Sequence, residues 1–243
     1  FLSSIIFRGI DWYFYPTTII SQCDSCIGGK TSINFKGYKN LIGNFYPPKK
    51  IKIDTKILKF LKKKEIISGL GEMAHYYFLS KKKYQFFFDN IHNVLKNKIV
   101  SREVVYQTLV IKKKFIELDK FDTGKRLILN FGHTFGHALE TYYNYNKKLT
   151  HGEAISIGMS IASKISNKLG YLDEINYNKI IFHFQNNKLP TYDEKTHDKK
   201  IFKIISKDKK NLGDKINFIL LNKIGSAFMY NKLSIKEIKK IIT

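Results

Sequence analysis

Two histidines four residues apart, His133 and His137, place the strongest constraint on how this chain can fold. They lie in NFGHTFGHALE (130–140), and on a helix they share one face, a turn apart. Fourteen residues further on, His151 begins the stretch HGE. Histidines spaced in this way can converge on one divalent cation, and Glu72 in GLGEM could add a carboxylate. The sequence therefore predicts that distant segments meet around a metal ion.

The sequence excludes two well-known patterns, the zincin metal site and the Walker A phosphate-binding loop. HTFGH has no glutamate beside its first histidine, so the metal site is not that of a zincin protease. The Gly-rich stretch DSCIGGKT (24–31) lacks the first glycine of a Walker A loop. Backbone amides at Gly28 and Gly29 can still approach an anion closely, and Lys30 adds a positive charge. Taken alone, this stretch favours an ordinary tight turn.

The net charge of +23 raises the question of a nucleic-acid partner. Of the 43 basic residues only three are arginines, namely Arg8, Arg102 and Arg126. Proteins that read bases or clamp phosphates favour the planar fork of arginine. The lysines here are also spread along the whole chain among abundant Ile, Asn, Phe and Tyr. We therefore expect no nucleic-acid partner, and we interpret the charge as a background of composition.

Other features of composition indicate a globular protein of the cytoplasm. The chain has 243 residues, of which 43% are hydrophobic, so it can bury a sizeable core. Cys23 and Cys26 have no second cysteine pair, which makes a zinc ribbon or a disulfide framework unlikely and favours a reducing compartment. No apolar run reaches membrane-spanning length, and no signal segment is recognisable at the start. We expect no membrane partner.

The hydrophobic pattern changes character near residue 62. Asp11–Ile20 is predicted to be a strand running into a turn, and 37–43 (GYKNLIG) is predicted to be turn-rich. From about Asp54 the spacing becomes helical. We predict a short α/β part over 1–62 and a mainly helical part over 63–243. Helices are predicted at 84–98, 101–119, 130–143, 151–169 and 233–242, and a strand at 217–221.

Several blocks of the sequence together resemble the 3-dehydroquinate synthase family, in which they occur in the same order. They are RGIDWYFYPTTIISQCDSCIGGKTSIN, GYKNLIGNFYPP, SGLGEM, DTGKRLILNFGHTFGHALE and LTHGEAISIGM. Iron-type alcohol dehydrogenases share the His-x3-His pattern but lack the GGKT and LNFGHTFGH blocks. The resemblance implies a fold in which the α/β remnant of a nucleotide-binding domain is followed by a mainly α-helical domain.

The resemblance also implies a role for individual residues. Glu72, His133 and His151 would bind the metal, Zn2+ or Co2+, and His137 would assist proton transfer beside the substrate. The substrate's carboxylate, phosphate and hydroxyls would be held by Lys30, Lys39, Asn40, Lys112, Arg126 and Asn130. Either Lys209 or Lys210 would close over the site. The positions near NAD would be Thr17, Thr18, Asp24, Lys30 and Lys39.

The activity implied is the NAD- and metal-dependent conversion of 3-deoxy-D-arabino-heptulosonate 7-phosphate (DAHP) to 3-dehydroquinate and phosphate, a step of the shikimate pathway. The partner is thus a small sugar-acid phosphate, and a homodimer is expected for the full-length protein. Two alternatives stay open. The chain could belong to another sugar-phosphate cyclase, such as 2-deoxy-scyllo-inosose synthase or amino-dehydroquinate synthase, or it could be an inactive remnant that still binds metal.

Three departures from the family pattern qualify these expectations. The segment that carries the GGG turn, which meets the NAD pyrophosphate, would precede Phe1, so we expect residues 1–243 alone to bind metal but not the nucleotide. His75 stands three residues after Glu72, where the family usually has a lysine. Phe60 stands where a threonine commonly touches the nucleotide. The first and third departures concern the cofactor, and the second concerns the binding of anions.

Overall fold

The first sixty residues contain four short strands that pair locally. The computed structural model describes residues 1–36, 38–97, 99–146, 148–207 and 215–242. Its first part comprises the helical turn α1 (Leu2–Ile5) and the strands β1 (Tyr13–Phe14), β2 (Lys30–Phe35), β3 (Tyr38–Phe45) and β4 (Lys50–Ile51). β1 pairs in parallel with β4, and β2 forms an antiparallel hairpin with β3. A 3-10 helix at Thr55–Phe60 leads into the remainder of the chain.

Of two local predictions in this part, one is confirmed and one is wrong. The strand running into a turn predicted over Asp11–Ile20 is present, although the strand spans only two residues before a turn held by Thr18 and Ser21. The stretch 37–43, predicted to be turn-rich, mostly belongs to β3. Its Gly43 faces the backbone of β2 so closely that an added Cβ would lie 2.1 Å from the carbonyl oxygen of Thr31. The glycine therefore marks a close approach of two strands and not a turn.

The remainder of the chain is mainly helical and contains most of the core, which confirms the predicted fold class. Its helices are α2 (Lys63–Phe78), α3 (Tyr84–Asn97), α4 (Arg102–Leu118), α5 (His133–Tyr142), α6 (His151–Lys168), α7 (Glu174–Asn186), α8 (Lys199–Ser206) and α9 (Ile235–Ile242). β5 (Lys215–Lys223) and β6 (Ser226–Ser234) form an antiparallel hairpin. The five predicted helices and the predicted strand are confirmed, whereas α2, α7, α8 and β6 were not predicted.

The predicted helix over 130–143 begins three residues late for a local reason. Lys125–Asn130 forms a 3-10 helix, and Gly132 follows with a φ of 84°, which is a left-handed conformation that favours glycine. This residue redirects the chain, so that α5 starts at His133. The histidine thereby stands at the beginning of a helix instead of within it.

Helix α6 is the centre of the helical part. Thirteen of its eighteen residues are buried, so it is surrounded by other elements on nearly all sides. It packs against α2 on one side and α5 on another, and the α2 segment from Ser68 to Phe78 is buried without interruption. The strand β5 and the helices α7 and α9 also pack against α6. None of the described helices combines the length and apolar composition that crossing a bilayer requires.

Glycines bring the backbones of the central helices into direct contact. An added Cβ on Gly152 would lie 1.7 Å from the carbonyl oxygen of Ser68, and one on Gly71 would lie 2.1 Å from that of Gly152. The amide of Gly152 also donates a hydrogen bond of 3.1 Å to the hydroxyl of Ser68. Because Glu72 and His151 directly adjoin these glycines, the contact between α2 and α6 places their side chains next to each other.

The first sixty residues, in contrast, expose many apolar side chains. Phe7 is 91% exposed and Phe60 is 77% exposed. Within the hairpin of β2 and β3, Ile33 and Phe35 are also exposed. The buried apolar side chains described in this part are few, and they lie where it meets the helical part: Ile19, Cys23, Cys26 and Leu58. The stability of the fold therefore depends mainly on the helices.

We predict that Gly152→Ala lowers the free energy of unfolding by roughly 1–3 kcal/mol, because overpacking outweighs the gain of about 1 kcal/mol that alanine brings to a helix. Urea denaturation of the metal-free protein measures this value. The control is Asn178→Ala on the exposed face of α7, which should change stability by less than about 0.5 kcal/mol. A Gly152→Ala variant as stable as the control would contradict the backbone contact.

Candidate active site

One carboxylate and two imidazoles meet where α2, α5 and α6 come together. Glu72 lies within α2, whereas His133 and His151 are the first residues of α5 and α6. One ligand atom from each lies within 4.8 Å of the others. Nε2 of His151 is 3.1 Å from one carboxylate oxygen of Glu72, and Nε2 of His133 is 3.9 Å from the other. A set of one oxygen and two nitrogen donors fits Zn2+ or Co2+.

The local sequence sets the position of both histidines. Gly132 turns the chain into α5, and Nδ1 of His133 then lies 3.2 Å from the carbonyl oxygen of Phe131, which leaves Nε2 directed at Glu72. At α6, the carboxylate of Glu153 accepts hydrogen bonds from the amide and the hydroxyl of Thr150. This capping box fixes the start of the helix at His151.

The charges in the site suit a cation. Burial alone would raise the pKa of Glu72, but the neighbouring charges of His75, His151 and His133 and a hydrogen bond from His151 hold it well below its ordinary value. Burial lowers the pKa of His133 to about 3, so that its ring is neutral at pH 7. Metal ligation requires an ionised carboxylate and neutral imidazoles, and these two residues are already in those forms.

His151 differs because its ring lies between two carboxylates. Its Nδ1 is 3.0 Å from Oε1 of Glu140, on the side opposite to Glu72. Burial would lower its pKa, but the charges of Glu72 and Glu140 and the hydrogen bonds to them raise it to about 10. No sequence pattern pointed to Glu140, although it ends the same GHTFGHALE block as His133 and lies two turns after it on α5.

His75 lies beside the metal-binding group. It is only 1% exposed, its Nδ1 is 3.6 Å from Glu72 Oε1, and its ring meets that of His133 edge to face. Neither ring nitrogen makes a hydrogen bond to a described residue. Burial lowers its pKa despite the nearby charge of Glu72. A neutral ring therefore stands where the resemblance implies a lysine.

A cavity of about 240 Å³ adjoins these residues and gathers most of the predicted site. Besides the three candidate metal ligands and His75, its lining includes the predicted residues Asp24, Lys30, Asn40, Lys112, Arg126, Asn130 and His137. Thr17 and Thr18 do not line it, and the side chain of Thr18 is bonded to Ser21. The side chain of Lys39, together with Lys209 and Lys210, lies outside the described residues.

Lys112 and Asp24 form a buried ion pair on one wall of this cavity. The Nζ of Lys112 is 2.7 Å from the Asp24 carboxylate and 2.5 Å from its carbonyl oxygen. The hydroxyl of Tyr76 also donates to the carboxylate. Burial would raise the pKa of Asp24, but the charge of Lys112 and the hydrogen bonds from Lys112 and Tyr76 together lower it. Asp24, expected near the nucleotide, thus lines the same cavity as the candidate metal ligands.

Lys30 and Arg126 add two further cations. Lys30 pairs with Asp122 at 2.5 Å. Arg126 is 2% exposed and donates from one guanidinium nitrogen to the carbonyl oxygen of Lys120. Its other terminal nitrogen lies against Gly28, where an added Cβ would be 2.3 Å away. The glycine of the GGKT block therefore makes room for an arginine about a hundred residues later, and the spacing of the sequence did not reveal Asp122 or Tyr76 as partners.

Comparison with known families and relatives agrees with this geometry. The model of the 3-dehydroquinate synthase C-terminal part matches residues 69–211, and that of the N-terminal part matches residues 1–68. The chain is 40% identical to the 3-dehydroquinate synthase of Thermoanaerobacter pseudethanolicus, over 93% of the chain and 64% of that relative. It is 37% identical to that of Dictyoglomus thermophilum, over 100% of the chain and 68% of the relative.

Solved structures of sugar-phosphate cyclases share the fold. A 2-deoxy-scyllo-inosose synthase, complexed with carbaglucose-6-phosphate, NAD+ and Co2+, is 27% identical with a TM-score of 0.85, covering 99% of this chain and 68% of that one. A 2-epi-5-epi-valiolone synthase from Streptomyces hygroscopicus, with NAD+ and Zn2+ bound, is 21% identical with a TM-score of 0.86, over 99% and 67%.

This chain spans a little under two thirds of the length of several curated relatives that it matches, such as 64% for the Thermoanaerobacter protein. Within that span the agreement extends over both family models and over the overall fold of the solved cyclases. It includes the GHTFGHALE and HGEA blocks, which begin the two helices whose histidines face Glu72. The chain therefore belongs to the 3-dehydroquinate synthase family.

Proposed function

We propose that this chain is the metal- and substrate-binding part of a 3-dehydroquinate synthase, which converts DAHP to 3-dehydroquinate and phosphate. The observation that carries the proposal is the meeting of Glu72, His133 and His151 in one cavity that is also lined by buried cations. A metal site beside anion-binding side chains suits a substrate with hydroxyls, a carboxylate and a phosphate. The identity of 40% to a 3-dehydroquinate synthase gives further support.

Glu72, His133 and His151 would hold the metal ion. Three protein ligands leave coordination positions open, as a catalytic site requires. A bound Zn2+ or Co2+ supplies Lewis acidity that polarises an oxygen of the substrate. The protein's contribution is to orient the ligands, since the ring of His133 is held by the Phe131 carbonyl and Glu72 is fixed within a fully buried stretch of α2.

Lys30, Lys112 and Arg126 would bind the anionic groups of the substrate. Each now contacts a protein oxygen, from Asp122, Asp24 and the Lys120 carbonyl respectively. An incoming carboxylate or phosphate can replace or share these partners without any cation being left buried and unpaired. Arg126 suits a carboxylate best, because its planar fork can donate two parallel hydrogen bonds.

His137 would move protons at the substrate. It lines the cavity one helical turn after His133, and their ring centroids are 5.1 Å apart. Elimination of phosphate and closure of a carbocycle both require a proton to leave or join a carbon or oxygen atom. An imidazole has an ordinary pKa close to neutrality, so it can serve as acid or base at such a position.

NAD is proposed as the cofactor of the full-length protein, where it supplies reversible hydride transfer. Two of the solved cyclases carry NAD+. In this chain, Thr17 and Thr18 lie away from the cavity of the candidate metal ligands, and Asp24 is paired with Lys112. Uptake of metal without nucleotide by residues 1–243 stays a prediction.

We predict that the full-length protein, given Zn2+ or Co2+, NAD+ and DAHP, releases inorganic phosphate and forms 3-dehydroquinate. A phosphate-release assay measures the rate, and glucose 6-phosphate serves as the competing substrate. Turnover of glucose 6-phosphate without release from DAHP would contradict the proposal and favour 2-deoxy-scyllo-inosose synthase. Release from neither substrate, with metal still bound, would favour an inactive remnant.

A second prediction concerns the metal ligands of residues 1–243. His133→Ala should weaken Zn2+ binding by about 100-fold or more, since loss of an outer hydrogen-bonding partner alone costs roughly 10–100-fold. Competition with a chromophoric chelator measures the dissociation constant. The control is His92→Ala, which removes an exposed histidine from α3 and should leave the affinity unchanged. If His133→Ala binds Zn2+ as tightly as His92→Ala does, the ligand assignment is wrong.

A third prediction concerns the recognition of the substrate. Arg126→Lys in the full-length protein should raise the KM for DAHP about tenfold, because a lost charge-assisted hydrogen bond costs about 1.5 kcal/mol or more. Steady-state kinetics at saturating metal and NAD+ measure this change. Arg102→Lys, on the exposed start of α4, is the matched control and should keep the wild-type KM. Equal KM values for the two variants would remove Arg126 from the substrate site.

A further inference from the structure

The ring of His151 has a second carboxylate behind it, on the side away from Glu72. Its Nδ1 lies 3.0 Å from Oε1 of Glu140, while its Nε2 lies 3.1 Å from Oε2 of Glu72. The side chain of Glu140 is only 9% exposed. We propose that Glu140 is a positioning residue that orients His151 and leaves Nε2 free to bind the metal; this inference rests on the metal site proposed above.

The chemistry of imidazole supports this role. Once a metal ion occupies Nε2, the ring keeps a single N–H, and because an ionised carboxylate can only accept a hydrogen bond, Glu140 favours that proton on Nδ1. The lone pair is then on Nε2, which faces Glu72 and the metal position. His133 is arranged in the same way, with Nδ1 next to the carbonyl oxygen of Phe131. Both histidines thus have an acceptor behind the ring.

Packing alone does not fix the ring of His151. Its side chain is 26% exposed, and it lines a second cavity of about 400 Å³ on the Glu140 side. That cavity is bordered by Lys62, Lys64 and Tyr145. Because the ring borders open space on this side, the contact between Nδ1 and Glu140 restrains its orientation there, as Glu72 does on the side of Nε2.

The place of Glu140 within its own helix argues against a role in stability. It lies in the last turn of α5, which ends at Tyr142. Backbone carbonyls without helical partners are concentrated there, and they disfavour a nearby carboxylate. Burial of the charge adds a further cost. A residue that only stabilised the helix would be neutral or positive at this position, whereas a carboxylate here can accept from His151.

Removal of the carboxylate tests the inference in residues 1–243. Glu140→Ala should weaken Zn2+ binding about 10–100-fold, and Glu140→Gln, whose amide oxygen can still accept from Nδ1, should weaken it less. Chelator competition gives the dissociation constants. In the Zn2+-loaded protein, 15N NMR should find His151 protonated on Nδ1 in the wild type and in Glu140→Gln, and a changed tautomer signal in Glu140→Ala.

The matched control is Asp173→Ala, which removes the carboxylate that caps α7 by accepting from the amide of Asn176. It should lower the stability of the metal-free protein in urea without changing the affinity for Zn2+. If Glu140→Ala behaves like this control, the positioning role is refuted. The proposed function fails separately: in that case the wild type does not bind Zn2+, or His133→Ala binds it equally well.

Discussion

The direct contact between the backbones of α2 and α6 is the constraint on which the rest of the site depends. Gly71 and Gly152 leave no room for a side chain between the helices, and each adjoins a residue of the metal-binding group. A similar contact joins α5 to α6, since an added Cβ on Gly158 would lie 1.9 Å from the carbonyl oxygen of Gly132. Direct backbone contacts at glycines, and not packing between long side chains, therefore set the distances among Glu72, His133 and His151.

Exposed and buried cations have different significance in this chain. Most of the 43 basic residues are lysines, and many lie on exposed surfaces, where solvent screens them. Lys112 and Arg126 are nearly fully buried, and each is close to a protein oxygen acceptor. In surroundings of low dielectric constant such groups act strongly on a bound anion. The overall charge of the chain thus says little about its ligand, whereas the two buried cations Lys112 and Arg126 indicate an anionic one.

Features set by residues close together in the sequence could be predicted, whereas contacts between residues far apart in the sequence could not. The histidines and most helices were predictable, because capping, glycine breaks and helical spacing are local features. The hairpin at Gly43 was misjudged, because the same residue type serves a turn and a close approach of strands. The pairing of Asp24 with Lys112 and of Lys30 with Asp122 joins residues 88 and 92 positions apart. Such partners depend on the tertiary fold, and so does the contact of Glu140 with His151.

Two of the three candidate metal ligands, His133 and His151, are the first residues of their helices. The amide ends of α5 and α6 converge near the same point, so their aligned peptide dipoles create a positive electrostatic potential there. A resting cation at that point is disfavoured by this potential and depends on the nearby carboxylates to offset it. Any oxygen atom that gains negative charge during a reaction is favoured by the same potential, at no cost in reorganisation, because the peptide groups are already oriented.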